Sequence, residues 1–295
     1  MARRSVQPGP DNRLRKVRFS GGGVDFDFTA QVQAGARVSL ESNQVNQIDM
    51  TLTDDVGMSL WRRGNIRKGT TLTYDGWLRF EVRGYTVDPS AGTVQVTVRS
   101  KGTARLKDER GAKSWGKQDV RSWMSARFRE AGLKPVVQPG LGKRDFARQK
   151  AESGSQAEST WDVMSRARDE LGCWLFEAGE YGVFAKPSWL VKSQPREMNT
   201  WQFNWTSATS YSQFLAGSPV YSYSADSSPA DELSLQLVSY DAGDIKPGDT
   251  VRLTGNYRDA TGDWVVKSVT VPLTSTQPVQ VGCMRPRDPV PQKAA

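Results

Sequence analysis

Residues 158–187, ESTWDVMSRARDELGCWLFEAGEYGVFAKP, read as a capped helix that passes through one glycine into a two-strand hairpin. Ser159 is placed to cap the helix, and Asp162, three residues on, closes a capping box and meets the positive end of the helix dipole. Val163, Met164, Ala167 and Leu171 recur at spacings of three and four and make one apolar face; Arg166, Arg168, Asp169 and Glu170 take the wet side. Gly172 ends the helix as a C-terminal cap. Cys173, Trp174, Leu175 and Phe176 form a short apolar strand, and after Ala178-Gly179-Glu180 a second strand through Tyr181, Val183 and Phe184 closes at Pro187.

On the N-terminal side, residues 24–100 have the period of β-structure. Ile48, Met50 and Leu52 alternate with polar residues, as do Leu78, Phe80 and Val82, and Val94, Val96 and Val98. Asp75-Gly76 signals a tight hairpin, and residues 88–92, DPSAG, a longer turn. From about 101 to 192 the period changes. Val120, Trp123, Met124, Phe128 and Ala131 mark a helix, Gly132 caps it, and residues 133–137 form a strand that Pro135 assigns to an edge. Helix, glycine and strand thus occur twice, which predicts a compact α/β insert with helices over one face of a small sheet. The polar, basic stretch 140–154 between them reads as an exposed loop.

After Pro195 the β-period returns, with Trp201, Phe203 and Trp205, then a Ser/Ala/Pro-rich stretch, then Leu233, Leu235 and Leu237. Residues 246–253, KPGDTVRL, lead through a Gly-containing turn to Trp264-Val265-Val266, much as Lys68-Gly69-Thr70-Thr71-Leu72 leads to Trp77-Leu78-Arg79-Phe80. This predicts an internal duplication of a β domain.

The segment around Trp161-Asp162, with its helix ending at Gly172, its aromatic strand and its Phe184-Ala185-Lys186-Pro187 strand, resembles the baseplate hub or tail hub proteins of tailed bacteriophages and related contractile injection machines. Residues 46–55, 68–82 and 245–289 resemble the same family, in the same order. The resemblance implies an α+β, mainly β chain: a basic arm (1–20), a first tube-like antiparallel β-barrel domain (21–104), a small α/β insert (105–194), a second tube-like β-barrel domain (195–284) and a Pro-rich tail (285–295). It also implies a structural, non-enzymatic virion protein at the distal end of the tail, assembled in the host cytoplasm. Three chains with two similar β domains each would form a pseudo-sixfold ring that stacks on the tail tube or distal tail protein, faces tail-tip, fibre or spike proteins below and leaves a channel for DNA. The tape measure protein is a further candidate partner. The arm and the tail read as inter-subunit straps.

Composition narrows the choice of function. A chain of 295 residues with 37% apolar content has room for two domains of roughly 100–200 residues each. It contains no apolar run of about 18 residues, and its first residues, MARRSVQPGPDNRLRK, have no apolar signal-peptide core, so no membrane insertion is expected. The absence of histidine excludes Ser-His-Asp and Cys-His catalysis and HExxH zinc sites. No phosphate-cradling GxxxxGK[ST] or strand-borne GxGxxG is present. A carboxylate pair remains chemically open, yet Asp54 with Asp55 and Asp169 with Glu170 are adjacent and diverge in direction, which suits a wet face better. Cys173 and Cys283 read as buried thiols, and Asn204-Trp205-Thr206 as strand residues instead of a glycosylation site. No catalytic, cofactor, metal or nucleic-acid residue is singled out, and no cofactor is expected.

The net charge of +8 is uneven: residues 1–20 hold six Lys/Arg against one acid, residues 101–150 fourteen against five, and the remainder twenty against twenty-six. The basic regions keep DNA binding open. The favoured reading is that net acidic β domains surround a channel through which DNA passes without specific binding, while basic segments contact acidic neighbours. The residues are also compatible with a tail-associated cell-wall hydrolase or a hexameric distal tail ring component.

Overall fold

The computed structural model of the chain describes residues 5–6, 17–21, 24–29, 32–33, 37–42, 46–53, 66–74, 78–148, 157–205, 220–225, 231–237, 245–255, 257, 260–272 and 278–291. After β1 (Ser5–Val6) of the N-terminal arm, the first β region comprises β2 (Val17–Gly21), β3 (Val24–Asp27), β4 (Arg37–Glu41), β5 (Gln47–Thr53), β6 (Thr71–Tyr74), β7 (Leu78–Asp88) and β8 (Thr93–Ser100). The middle region opens with α1 (Lys101–Asp108), β9 (Lys113–Asp119), α2 (Val120–Glu130), β10 (Lys134–Val137) and β11 (Lys143–Arg148). It continues with α3 (Thr160–Leu171), β12 (Trp174–Ala178), β13 (Tyr181–Ala185) and α4 (Pro187–Ser193). The second β region holds β14 (Thr200–Trp205), β15 (Val220–Ala225), β16 (Glu232–Leu237), β17 (Thr250–Gly255), β18 (Gly262–Pro272) and β19 (Val279–Met284). The fold is α+β and mainly β.

The strands follow the expected alternation. β5 buries Ile48, Met50 and Leu52, β7 buries Leu78, Phe80 and Val82, and β16 buries Leu233, Leu235 and Leu237. Their neighbours in sequence point to the other face, as a side-chain period of two requires. In the turn after β7, the Asp88 Oδ1 accepts from the backbone N–H groups of Ser90 and Ala91 at 3.0 and 3.1 Å. The Asp75-Gly76 turn lies outside the described residues, although β6 and β7 pair up to Tyr74 opposite Leu78.

The two β regions have parallel strand orders. The first runs β4-β5-β8-β7-β6-β2-β3, and the second β15-β16-β19-β18-β17-β14-β1. They are joined into one hydrogen-bonded network where β4 lies antiparallel along β18, from Glu41 opposite Ser268 to Arg37 opposite Pro272. A single apolar core passes through both, from Val17 and Phe19 to Val281 and Cys283. β1, from the N-terminal arm, lies parallel to β14. Residues 17–20, grouped with the arm on sequence grounds, belong to β2.

The middle region carries a three-stranded sheet in the order β10-β13-β12, with β10 at an edge as Pro135 demands. α2 and α3 cover one face: Trp123, Met124 and Phe128 meet Val163, Met164 and Ala167 above Leu175 and Phe184. The other face, with Trp174, Phe176 and Val183, packs on Leu190 of α4, Met198 and Val265 of β18. Cover on both faces explains why 173–176 is apolar throughout instead of alternating. The α3 capping box forms in both directions: Ser159 Oγ accepts from the Asp162 N–H at 3.2 Å, and Asp162 Oδ2 from the Ser159 N–H at 2.9 Å.

One expectation of the middle region is corrected. Within 140–154, residues 143–148 form a strand, β11, antiparallel to β9, and Phe146 is buried with its ring stacked on Trp123 at 3.9 Å. One aromatic among charges is enough here, because only one side of this two-strand ribbon touches the helices. Residues 149–156 lie outside the described residues. The hairpin closes before Pro187, and α4 follows, opened by proline at its first turn. The tail at 285–291 also contacts its own chain: Arg285 N–H donates to the Asp231 carbonyl at 2.9 Å, and Asp288 accepts from the Ser188 N–H at 3.0 Å. Gly172, in the left-handed region at φ 62°, lets Pro289 cross directly over the end of α3, where any side chain would strike the Pro289 carbonyl.

Candidate assembly surface

Among the described residues no group of three His, Cys, Asp or Glu stands close enough to hold a metal, and no helix is long and apolar enough to cross a membrane. Both cysteines are buried and unpaired with each other; burial pushes the Cys173 thiol up to about 12 and raises Cys283 as well, so neither is a ready thiolate. Asp169 pairs with Arg168 at 2.8 Å and Glu170 with Arg144, as a wet face predicts. Asp54 and Asp55 lie outside the described residues. Asn204 lies in β14, while Thr206 lies outside the described residues. A depression of about 300 Å³ over β15, β16, β18 and β19 is crossed by the Lys267–Glu232 ion pair at 3.0 Å.

Two buried carboxylates escaped sequence reasoning. Glu177, in β12, accepts from Thr103 N–H at 2.7 Å, Thr103 Oγ1 at 2.9 Å and Gly102 N–H at 3.3 Å. Its own carbonyl accepts from Asn46 Nδ2 at 2.8 Å, so one residue of β12 holds α1 and also ties the middle region to the first β region just before β5. Burial pushes its carboxyl up to about 7 against the pull of those donors. Asp249 has no exposed surface and accepts from Asn199 N–H (2.9 Å), Trp201 Nε1 (2.8 Å) and Lys246 N–H (3.2 Å), with the Lys246 ammonium at 3.3 Å. Burial raises its pKa while Lys246 opposes the rise. Every donor around these two groups is a structural one. Their signals in sequence are faint: a Glu inside an apolar strand, and an Asp after a Pro-Gly turn.

The chain repeats itself at the level of single hydrogen bonds. In the first half Thr70 N–H donates to the Arg67 carbonyl, Gly69 N–H to the Val82 carbonyl and Val82 N–H to the Thr70 carbonyl, each at 2.9 Å. In the second, Asp249 N–H donates to Lys246 (3.1 Å), Gly248 N–H to Val266 (2.9 Å) and Val266 N–H to Asp249 (2.9 Å). Gly69 and Gly248 share a left-handed conformation, φ 93° and 89°, and Ile66 and Ile245 are both fully buried just before. Even the anchor repeats: Thr70 Oγ1 accepts from Arg67 N–H at 3.0 Å where the Asp249 carboxylate accepts from Lys246 N–H. β7 and β18 are each eleven residues long and bulge at matching places, between Val82 and Gly84 and between Val266 and Ser268.

No family model matches the chain, and no curated protein matches its sequence. Solved structures do match. The 43 kDa tail protein of prophage MuSo2 from Shewanella oneidensis superposes with a TM-score of 0.59 at 12% identity, over 95% of this chain and 100% of that one. A tail protein from Neisseria meningitidis gives 0.59 at 11% identity, over 92% and 96%. An Escherichia coli component of the type VI secretion system, described as similar to the bacteriophage T4 tail proteins gp27 and gp5, gives 0.57 at 12%, over 93% and 79%. The fold is that of prophage tail proteins.

Within this tail-protein fold the basic residues of 101–150 are largely engaged internally. Arg127 reaches Glu130 at 2.5 Å, Lys134 Glu180 at 2.7 Å and Arg148 Glu109 at 3.5 Å. Arg127 and Arg148 stack over Trp115, both at 5.4 Å, and are 8% and 7% exposed. Trp123 and Phe128 are core residues, as their helical spacing predicted. An aromatic platform open to bases is not formed by these residues.

Proposed function

We propose that the chain is a structural component of a bacteriophage tail, the hub at its distal end, acting as a homotrimer without enzymatic activity. The observation that carries this reading is the duplication of the β region within one chain, down to the Gly69 and Gly248 turns, in a fold shared with prophage tail proteins. Two similar halves per chain give three chains six similar surfaces, which suits a joint between sixfold and threefold parts. The ring would stack on tail tube or distal tail protein, receive tip or spike proteins below, and pass DNA through its centre. The mass of the purified assembly tests it: three chains are expected, and six would favour a distal ring component instead. Clearing of cell walls in a zymogram, abolished by changing one carboxylate, would move the assignment to a hydrolase.

A further inference from the structure

Three cations from β9, α2 and β11 surround one indole in the middle region. Lys113 Nζ stands 5.2 Å from the centre of the Trp115 ring, and the guanidinium carbons of Arg127 and Arg148 stand 5.4 Å from it. Cross-strand pairing sets Lys113 opposite Arg148, where like charges repel. Two acids answer the three cations. The exposed Glu130 pairs with Arg127 at 2.5 Å. Glu109 turns one oxygen toward both Arg148, at 3.5 Å, and Lys113, at 4.0 Å, each beyond the usual hydrogen-bond range. It is held at that distance by α3: its other oxygen accepts from Thr160 Oγ1 at 2.9 Å and its carbonyl from Thr160 N–H at 3.0 Å.

The cluster is thus one negative charge short, and its hydrogen bonds are short in the same sense. Nε and Nη1 of Arg148, Nε of Arg127 and Nε1 of both Trp115 and Trp123 are buried without an acceptor. All five are donors. A buried donor without an acceptor is destabilising, and five of them beside a surplus positive charge call for an oxyanion.

We propose that the Trp115 cluster is a binding site for the side-chain carboxylates of an acidic segment carried by a neighbouring tail protein. Planar guanidinium groups match the fork of a carboxylate, and the fourteen Lys/Arg against five acids of residues 101–150 supply the complementary charge. Arg127 and Arg148 are recessed, 8% and 7% exposed, while Lys113 and Glu130 form an exposed rim. A side chain on a flexible segment reaches recessed donors of this kind. A DNA backbone instead draws on outward-facing cations along its length. The inference deepens the assignment above and rests on it only for the neighbour being a tail protein.

Fluorescence anisotropy of a labelled hexaglutamate peptide with the full-length protein tests it, with labelled hexathymidylate as the comparison. The peptide should bind, less tightly as salt rises, and Arg148→Gln should weaken it about tenfold. Lys113→Glu places a carboxylate opposite Arg148 within the chain. It should raise the thermal midpoint and yet weaken the peptide by a similar factor, a combination that misfolding does not produce. Peptide binding that is absent, or equal in the wild type and both variants, overturns the site and leaves the tail assignment standing. Hexathymidylate that binds as tightly and is lost with the same substitutions overturns it in favour of nucleic acid. A changed number of chains per assembly in either variant overturns it in favour of a second copy of this chain. A six-chain mass for the wild type overturns the hub assignment without touching the peptide result.

Discussion

β7 and β18 share a length, a bulge and a preceding glycine turn, yet past the bulge β18 is buried along β4 while β7 is more exposed, with Val87 partly buried against the core. Both continue to alternate apolar and polar residues there, Tyr85 and Val87 matching Val269 and Val271. The halves also differ in their turn anchors: a neutral Thr70 serves the first, and a buried Asp249 with three donors and a lysine the second.

That last difference gives the largest expected effect. Asp249→Ala strands three buried donors and should lower unfolding free energy by about 3–5 kcal/mol, while Thr70→Val should cost about 1 kcal/mol. Equal losses in denaturant titrations would break the comparison. Glu177 holds α1 through its carboxylate and the first half through its carbonyl, whereas the second half is held by the apolar contacts of Phe176, Met198 and Val265, so pH should act at the Glu177 joint and not at the apolar one. Because the Glu177 pKa of about 7 lies above the roughly 4.3 of an unfolded glutamate, the folded state binds more protons between those values. Stability therefore falls as pH rises from about 4.5 to about 7, by up to about 3 kcal/mol, and then levels. Glu177→Gln should flatten that slope; a slope retained in the variant would assign it to another group.

The two glycine turns separate by a smaller amount. Gly69→Ala meets open space and should cost only the strain of its positive φ, about 1–2 kcal/mol. A Cβ at 248 would come within 2.9 Å of Phe176 Cζ, so Gly248→Ala should cost about 1–3 kcal/mol more, read as a difference in thermal midpoint. The smallest effect belongs to the half-exposed Arg252–Asp263 pair, which stands at 2.6 Å where the first half has Thr73 opposite Arg79. Asp263→Asn should shift stability by no more than about 0.5 kcal/mol, and less at high salt.

Much of this was legible in the residues. Ser159, Asp162 and Gly172 specify α3 because capping is a local interaction, complete within a few residues. The alternations of β5, β7, β8 and β16 specified strands and their buried faces for the same reason. β11 was not legible, since Phe146 is its single core residue and its partner β9 is equally polar. Glu177 and Asp249 were not singled out either, because a buried carboxylate is recognised by donors that come from distant parts of the chain.

By itself, then, the sequence determined what short-range chemistry determines: caps, turns, the two periods of helix and strand, and the repetition of one β pattern on either side of an insert. Only the tertiary structure decided that β4 crosses from the first half to lie on β18 and that the tail folds back over Gly172. Strand pairing between residues more than two hundred positions apart leaves no local period to read; it is selected by which apolar faces and open edges meet once the whole chain has collapsed.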